Sequence, residues 1–391
     1  MNNRIIKRAV LKQSAILSLL FLLLSATLMA AISEDDKKIY SEDYNYKLYP
    51  NGASAVLYDF SEIEINSDNT KEFINRKVQK ILSYKGKKEA SEYKIFYDSR
   101  FETVEITRAV TINIKDGDFV ETPVSEKEIR ELDSPGESGF MDYMVGKMKV
   151  VVFPAVEEGS IIDIEYKIKS KENYKRCYRA VFVNEEPVFY KKFAVKYRED
   201  MKINIKCENQ SMGVTRSEKV TEGTKEVIFE KKNLEQIVAE ESSAPVYSYA
   251  PVVYVSMYSD FESIRDFLVN KFSEEILIPD SDVKETTRKI VEKIGDNREK
   301  IEGIKNYISK NINSIPVNDI ITREIRKPAE TLKKGYASPY DRVALFVSMA
   351  RAAGFEAYPV ISGIDGNYMK YEKNYFDVET FNYPFAAVKI G

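Results

Sequence analysis

The sequence predicts a multidomain chain, an N-terminal all-β, sandwich-like domain followed by a C-terminal α+β domain, and three observations carry that prediction. From Lys47 to about Ala250, polar and apolar residues alternate in short runs, the period of half-buried strands. After Pro251 the apolar spacing changes to that of amphipathic helices. The length of 391 residues exceeds what one hydrophobic core usually organises, so two domains and a targeting segment are expected.

In the first half, alternation is clear in SAVLYDFSEIEI, NRKVQKILSY, SEYKIFYD, TVEITRAVTINI and SIIDIEYKIKS. It continues through PVFYKKFAVKYRED, MKINIKCEN and KEVIFEKKN. Turn residues separate these runs: Ser67 to Asn69, Lys85 with Gly86, and Lys115 to Asp118. The 26 Tyr and 20 Phe suit a pleated surface. A β domain over 40–250 follows, in which Lys167 to Arg176 reads as charged surface around a turn.

In the second half, 251–391, Phe261, Ile264, Phe267, Leu268 and Phe272 fall on one helical face, with Ser259 and Asp260 as cap candidates. SDVKETTRKIVEKIG repeats the helical signal, with Gly295 in a C-cap position, and NREKIEGIKNYISKNI follows. No Gly/Ser-rich tether lies between the halves, so they are expected to pack together.

The N-terminus has a basic start, Arg4, Lys7, Arg8 and Lys12, then the apolar run Ser14 to Ile32 and an acidic SEDD. Over 1–32 this reads as a secretory signal peptide with Ala30 and Ala31 at the cleavage site, or as an uncleaved membrane anchor of nearly spanning length. Either reading puts the chain outside the cytoplasm, in the periplasm or its equivalent. No cysteine follows the run to carry a lipid.

With 59 basic and 62 acidic residues interspersed, a net charge of -3 leaves no footprint for nucleic acid. The sequence contains no histidine, which excludes any Ser-His or Cys-His mechanism and removes the commonest zinc ligand. No metal site and no cofactor is expected. The two cysteines, Cys177 and Cys207, suit either one disulfide or two structural thiols.

The most informative stretch is RKPAETLKKGYASPYDRVALFVSMARAAGFEAYPV, Arg326 to Val360. Tyr340 to Ala353 is apolar almost all round, which predicts a helix buried on most sides. Ser338 suits the N-cap, Pro339 the first helical position and Gly354 the end. FEAYPVIS then reads as a strand.

This stretch resembles the nucleophile motif of the transglutaminase-like superfamily, G-x-G-D-C-x-D-[KR]-[AS]-x-L, with its following helix and strand. Gly335, Asp341, Arg342, Leu345, Arg351, Gly354, Ala357, Pro359 and Val360 set the register, which puts Pro339 at the cysteine position. FNYPFAAVKI resembles the F-N-H motif, keeping Phe381 and Asn382 and placing Tyr383 at the histidine position. The first half resembles DUF3857, including FPAVEEG before a strand. The resemblance implies a third catalytic member on a strand beyond Gly391, and hence an incomplete sheet.

If the resemblance holds, the thiol and its base are both gone, since a phenol with an ordinary pKa near 10 cannot replace an imidazole. Ser338, Asp341, Tyr336, Tyr340, Asn382 and Tyr383 are expected around the degenerate cleft, Ser338 as a helix cap and Asp341 in the first turn. Arg342 and Arg351 are expected to be solvated or ion-paired. The expected function is a non-catalytic exported protein that binds or scaffolds, with a protein, peptide or glycan as partner. The alternatives are a hydrolase repurposed around Ser338 or carboxylates, and a fragment of a longer protein.

Overall fold

The structure, a computed structural model, describes residues 32–42, 52–134, 146–171, 174–237, 249–317, 320, 323–363, 378 and 381–391. Contacts divide the chain into two units, Met1–Asp43 and Tyr44–Gly391. In the first, α1 (Glu34–Tyr40) starts on Ser33, whose hydroxyl accepts the N–H of Asp36. The apolar run from Ser14 lies outside the described residues except for Ile32. Among the described residues no helix is long and apolar enough to cross a membrane.

The second unit begins with β1 (Ser54–Ile65), β2 (Lys71–Ile81), α2 (Tyr84–Ala90), β3 (Glu92–Asp98), β4 (Glu102–Lys115), β5 (Asp118–Pro123) and β6 (Ile129–Asp133). It continues with β7 (Gly146–Val152), β8 (Ile161–Ser170), β9 (Cys177–Val181), β10 (Val188–Arg198), β11 (Asn204–Glu208), β12 (Thr215–Thr221), β13 (Thr224–Leu234) and β14 (Val252–Ser256). Eight of these strands form one sheet in the order β12-β13-β10-β1-β2-β8-β4-β5. Its neighbours pair antiparallel except β1 with β10, which run parallel, so the sheet is mixed.

Register shows how the sequence's alternation becomes a layer. Val227, Val195, Ile63, Phe73, Ile168 and Val104 stand opposite one another in a single row across six strands. Cross-strand partners share a face, so this row is one line of a continuous apolar surface. The sheet β11-β14-β9 covers one part of it through Val253 and Val255, and the sheet β3-β7-β6 covers another through Ile95 and Val151. The predicted sandwich-like β domain is thus present. Because β14 pairs with β9 and β11, it extends to Ser256, past the expected limit at 250.

The opposite face of the large sheet carries a buried ionic cluster among apolar residues such as Val78 and Val110. Asp163, fully buried, binds Arg76 and Arg108, each at 2.7 Å, and Arg108 also reaches Glu121 at 2.5 Å. A buried carboxylate requires such pairing to remain charged.

Some local expectations change. The turns at Asn69 and at Asp116 with Gly117 form with positive φ, but Lys85 and Gly86 lie inside α2 rather than in a turn. Ser83 captures the start of that helix, its hydroxyl accepting the Gly86 N–H at 3.3 Å. Tyr174, in the stretch expected to be charged surface, is buried and stacks on Phe101 at 4.7 Å. Of the two alternatives for the cysteines, the structure has the thiols: Cys177 and Cys207 lie on β9 and β11, on either side of β14. Cys177 pairs with Ser256 and Cys207 with Val253, so an intervening strand and three positions of register separate them. Two strand spacings alone are about 9.5 Å, beyond disulfide reach.

The α+β part contains α3 (Phe261–Lys271), α4 (Glu274–Leu277), α5 (Ser281–Val291), α6 (Asn297–Asn311), β15 (Asn313–Ser314), α7 (Pro328–Lys334), β16 (Tyr336–Ala337), α8 (Pro339–Ala352), β17 (Glu356–Ser362) and β18 (Tyr383–Lys389). Asp260 caps α3, and Ile264, Leu268 and Phe272 are buried as their spacing predicts. The helix α5 stops earlier than Gly295, with Glu292 as its C-cap. Gly354 has φ +87 and terminates α8. That helix lies at the centre of this part, with Ala344, Val347 and Ala350 in one apolar cluster and Leu345 and Met349 in another.

Candidate functional site

The site is organised by the start of α8. Ser338 is extended at the N-cap and Pro339 follows at the first helical position, where its missing N–H costs no hydrogen bond. Ser338 accepts the Asp341 N–H at 3.2 Å, and Asp341 accepts the Ser338 N–H at 3.4 Å, a reciprocal capping box. The other carboxylate oxygen of Asp341 accepts the Arg326 N–H at 2.8 Å. Asp341 therefore ties the helix start to the segment preceding α7.

Tyr340 and Tyr336 extend this network. The Tyr340 hydroxyl donates to the Phe381 carbonyl at 3.5 Å, which connects the start of α8 to the FN pair before β18. The Tyr336 carbonyl accepts from Arg326 at 2.9 Å, and the guanidinium lies 5.2 Å from the centre of the Tyr336 ring. Arg351 binds Glu274 at 2.6 Å and the Ala357 carbonyl at 2.9 Å, matching its expected ion pairing. The hydrogen bond from Arg351 holds the Glu274 carboxyl below the usual carboxylate range.

Ser338, Tyr340 and Asp341 line one cavity of about 300 Å³. Tyr383, expected to share it, points elsewhere. It pairs with Ser362 at the start of β18, where residues 383, 385, 387 and 389 are exposed while Ala386 and Val388 pack toward α8. The period of two along a strand therefore turns Tyr383, half exposed, away from the helix. Pro339, Tyr336 and Asn382 are partly buried and are not among the described lining residues.

Sequence reasoning missed the cations of this cavity. Arg323 and Arg326 precede α7, Lys334 is its last residue, and Arg100 reaches the cavity from the turn between β3 and β4. Asp98 holds the Arg100 guanidinium through two hydrogen bonds, of 3.0 and 2.6 Å. The short-range pattern Asp98, Arg100 was readable as a local pair; its meeting with α8 is a tertiary fact with no local signal.

An all-β sandwich-like part leads into an α+β part built on a buried helix whose start meets an FN-bearing strand, and comparison with known families gives these parts their class. Residues 67–238 match the model of a domain of unknown function with a solved structure, DUF3857, and residues 284–381 match that of the transglutaminase-like superfamily. The chain thus carries a DUF3857 domain followed by a transglutaminase-like domain.

Among solved structures, a "putative protease" from Parabacteroides distasonis ATCC 8503 superposes with a TM-score of 0.72 at 18% identity. The match covers 86% of this chain and 65% of that one, and at this identity it shows the fold alone. A "putative cysteine protease" from Cytophaga hutchinsonii matches at 10% identity over 82% of this chain and 73% of that one, with a TM-score of 0.23 that carries no argument. An M1 zinc metallopeptidase from Deinococcus radiodurans, at 9% identity, 52% and 42% coverage and a TM-score of 0.26, carries none either. No curated protein matches the chain.

Proposed function

We propose that this chain is a non-catalytic exported protein that uses its degenerate transglutaminase-like domain to bind or scaffold a protein, peptide or glycan partner. The observation that carries the reading is the start of α8, where Pro339 stands at the cysteine position and the capping box of Ser338 and Asp341 completes the helix without a thiol. Tyr383, at the histidine position, faces away from α8, and the sequence holds no histidine to replace it. The basic N-terminus and the apolar run behind it support export, whether the run is cleaved or retained.

The test is reconstruction. A Pro339→Cys, Tyr383→His double variant is expected to hydrolyse no casein and no fluorogenic peptide, because position 383 does not face the helix start. Peptidase activity in the unaltered chain, abolished by Ser338→Ala, would overturn the reading.

One observation favours a second reading, a hydrolase repurposed around Ser338: that serine lines the cavity. Its hydroxyl is nearly buried and already accepts a helix N–H. A serine-reactive phosphonate that labels Ser338 under native conditions would favour the hydrolase, and an unlabelled Ser338 counts against it.

A further inference from the structure

We infer that the outer face of β17 and β18 is a stacking platform for a linear, uncharged β-linked glucan; this names the partner within the non-catalytic binding reading above and rests on it. The register Glu356↔Lys389, Tyr358↔Ala387, Val360↔Phe385 and Ser362↔Tyr383 puts these residues on the face turned away from α8. Tyr383, Phe385 and Tyr358 are 51%, 42% and 50% exposed. Along the ribbon they occupy three successive outward positions, one aromatic at each, in steps of about 7 Å. A pyranose ring lays its apolar C–H face on an aromatic ring, so such a row suits a straight chain of sugars. Arg351 lies 5.9 Å from the centre of the Tyr358 ring and is itself bound to Glu274.

Charge, area and strand edges narrow the occupant. The charges of the face cancel: Lys389 binds Glu356 at 3.3 Å, and the Tyr358 hydroxyl donates to the same carboxylate at 2.8 Å. An uncharged ligand complements such a surface. Seven residues in each strand give a face of about 24 by 10 Å, roughly 240 Å², well short of the about 800 Å² per partner that a stable protein interface buries. A second copy or a folded partner finds too little surface here. An extended peptide that adds a strand needs main-chain groups at an edge. Proline lacks an N–H, so Pro359↔Ala386 and Ile361↔Pro384 are pairs whose main-chain groups point to the outer edges. Pro359 and Pro384 thus leave a gap in each edge, and Arg351 takes the Ala357 carbonyl at 2.9 Å. Recognition is left to the side chains of the face.

The experiment is titration calorimetry of the full chain with cellohexaose, with its isomer maltohexaose, whose linkage curls the chain, and with an uncharged threonine-valine hexapeptide. Cellohexaose is expected to bind saturably and more tightly than either of the others. Tyr383→Ala and Phe385→Ala are each expected to weaken it about tenfold, the loss of one stacked ring, while Phe96→Ala, which removes an exposed ring on β3, leaves it unchanged. No saturable binding of cellohexaose, equal or tighter binding of maltohexaose, unchanged affinity in both folded β18 variants, or an equal loss in Phe96→Ala would overturn the inference. Equal or tighter binding of the hexapeptide would overturn it too, and assign the face to a peptide. The wild-type comparison needs no variant, so it decides the matter even where a substitution prevents folding. Peptidase activity measured on the same sample separates the two readings: turnover overturns the non-catalytic function whether or not cellohexaose binds, and absence of cellohexaose binding without turnover overturns only the glucan platform.

Discussion

The carboxylate of Asp341 accepts the backbone N–H of Arg326 at 2.8 Å while its other oxygen accepts the N–H of Ser338. One nearly buried side chain thus satisfies the start of α8 and the approach to α7. Asp341→Ala removes both contacts and leaves N–H groups without their acceptor. The expected loss is about 2 kcal/mol, seen as a lower urea midpoint, with Asp341→Asn retaining part of the stability. An unchanged midpoint would show that the box does not hold the helix.

Gly86 occupies a position that no other residue fits. A Cβ there would collide with the carbonyl oxygen of Ala53, itself the acceptor for the Leu82 N–H at 3.1 Å. Gly86→Ala should therefore destabilise the β domain by about 1–3 kcal/mol, the usual cost of overpacking, although alanine favours helix. A stabilised variant in chemical denaturation would contradict this packing.

Lys71 links stability to pH. Burial first, and then the charge of Arg176, push its ammonium down to about 8, opposed in part by Glu102. The folded protein gives up this proton near pH 8, whereas the unfolded chain keeps it to the ordinary lysine range. Between these limits the unfolded state binds more protons, so this group's contribution to stability rises with pH. Lys71 also donates to the Tyr174 carbonyl, an acceptor that Lys71→Met leaves to find another donor. The stability of wild type relative to Lys71→Met should increase from pH 7.5 to 10; a flat difference across this window would rule out the linkage.

The cysteines give a chemical test of the β9-β14-β11 sheet. Burial pushes the Cys207 thiol up to about 11, and Cys177 is buried beside the Ser256 hydroxyl at 3.7 Å. Both should react slowly with a disulfide reagent at pH 8 in the folded chain, because thiolate is the reactive form. Unfolding without reductant should release two thiols per chain; none would mean that the sheet has a different arrangement.

What the sequence made legible was periodicity and capping. Ser338, Pro339 and Gly354 marked α8 because capping chemistry is local, and the apolar positions of α3 marked its buried face because spacing survives folding. Tyr383 was misplaced because a motif match fixes its position in the chain and leaves its direction to strand register, decided by pairing with Ser362. Arg100 carried no signal for the cavity because only tertiary contact brings it there. The parallel pairing of β1 with β10 was equally hidden, since alternation reports a strand without reporting its neighbour.

That pairing governs how the large sheet can be assembled. The strands β2, β8, β4 and β5 flank β1 on one side, and β10, β13 and β12 complete the sheet on the other. During synthesis the first group can pair as soon as β8 emerges, but one edge of β1 stays open until Val188–Arg198 arrives to close it. Such a closure over a long sequence separation is slow. Until it occurs, the nascent chain presents a bare strand edge with apolar Ile63 and Ile65, a surface on which two unfinished chains can join.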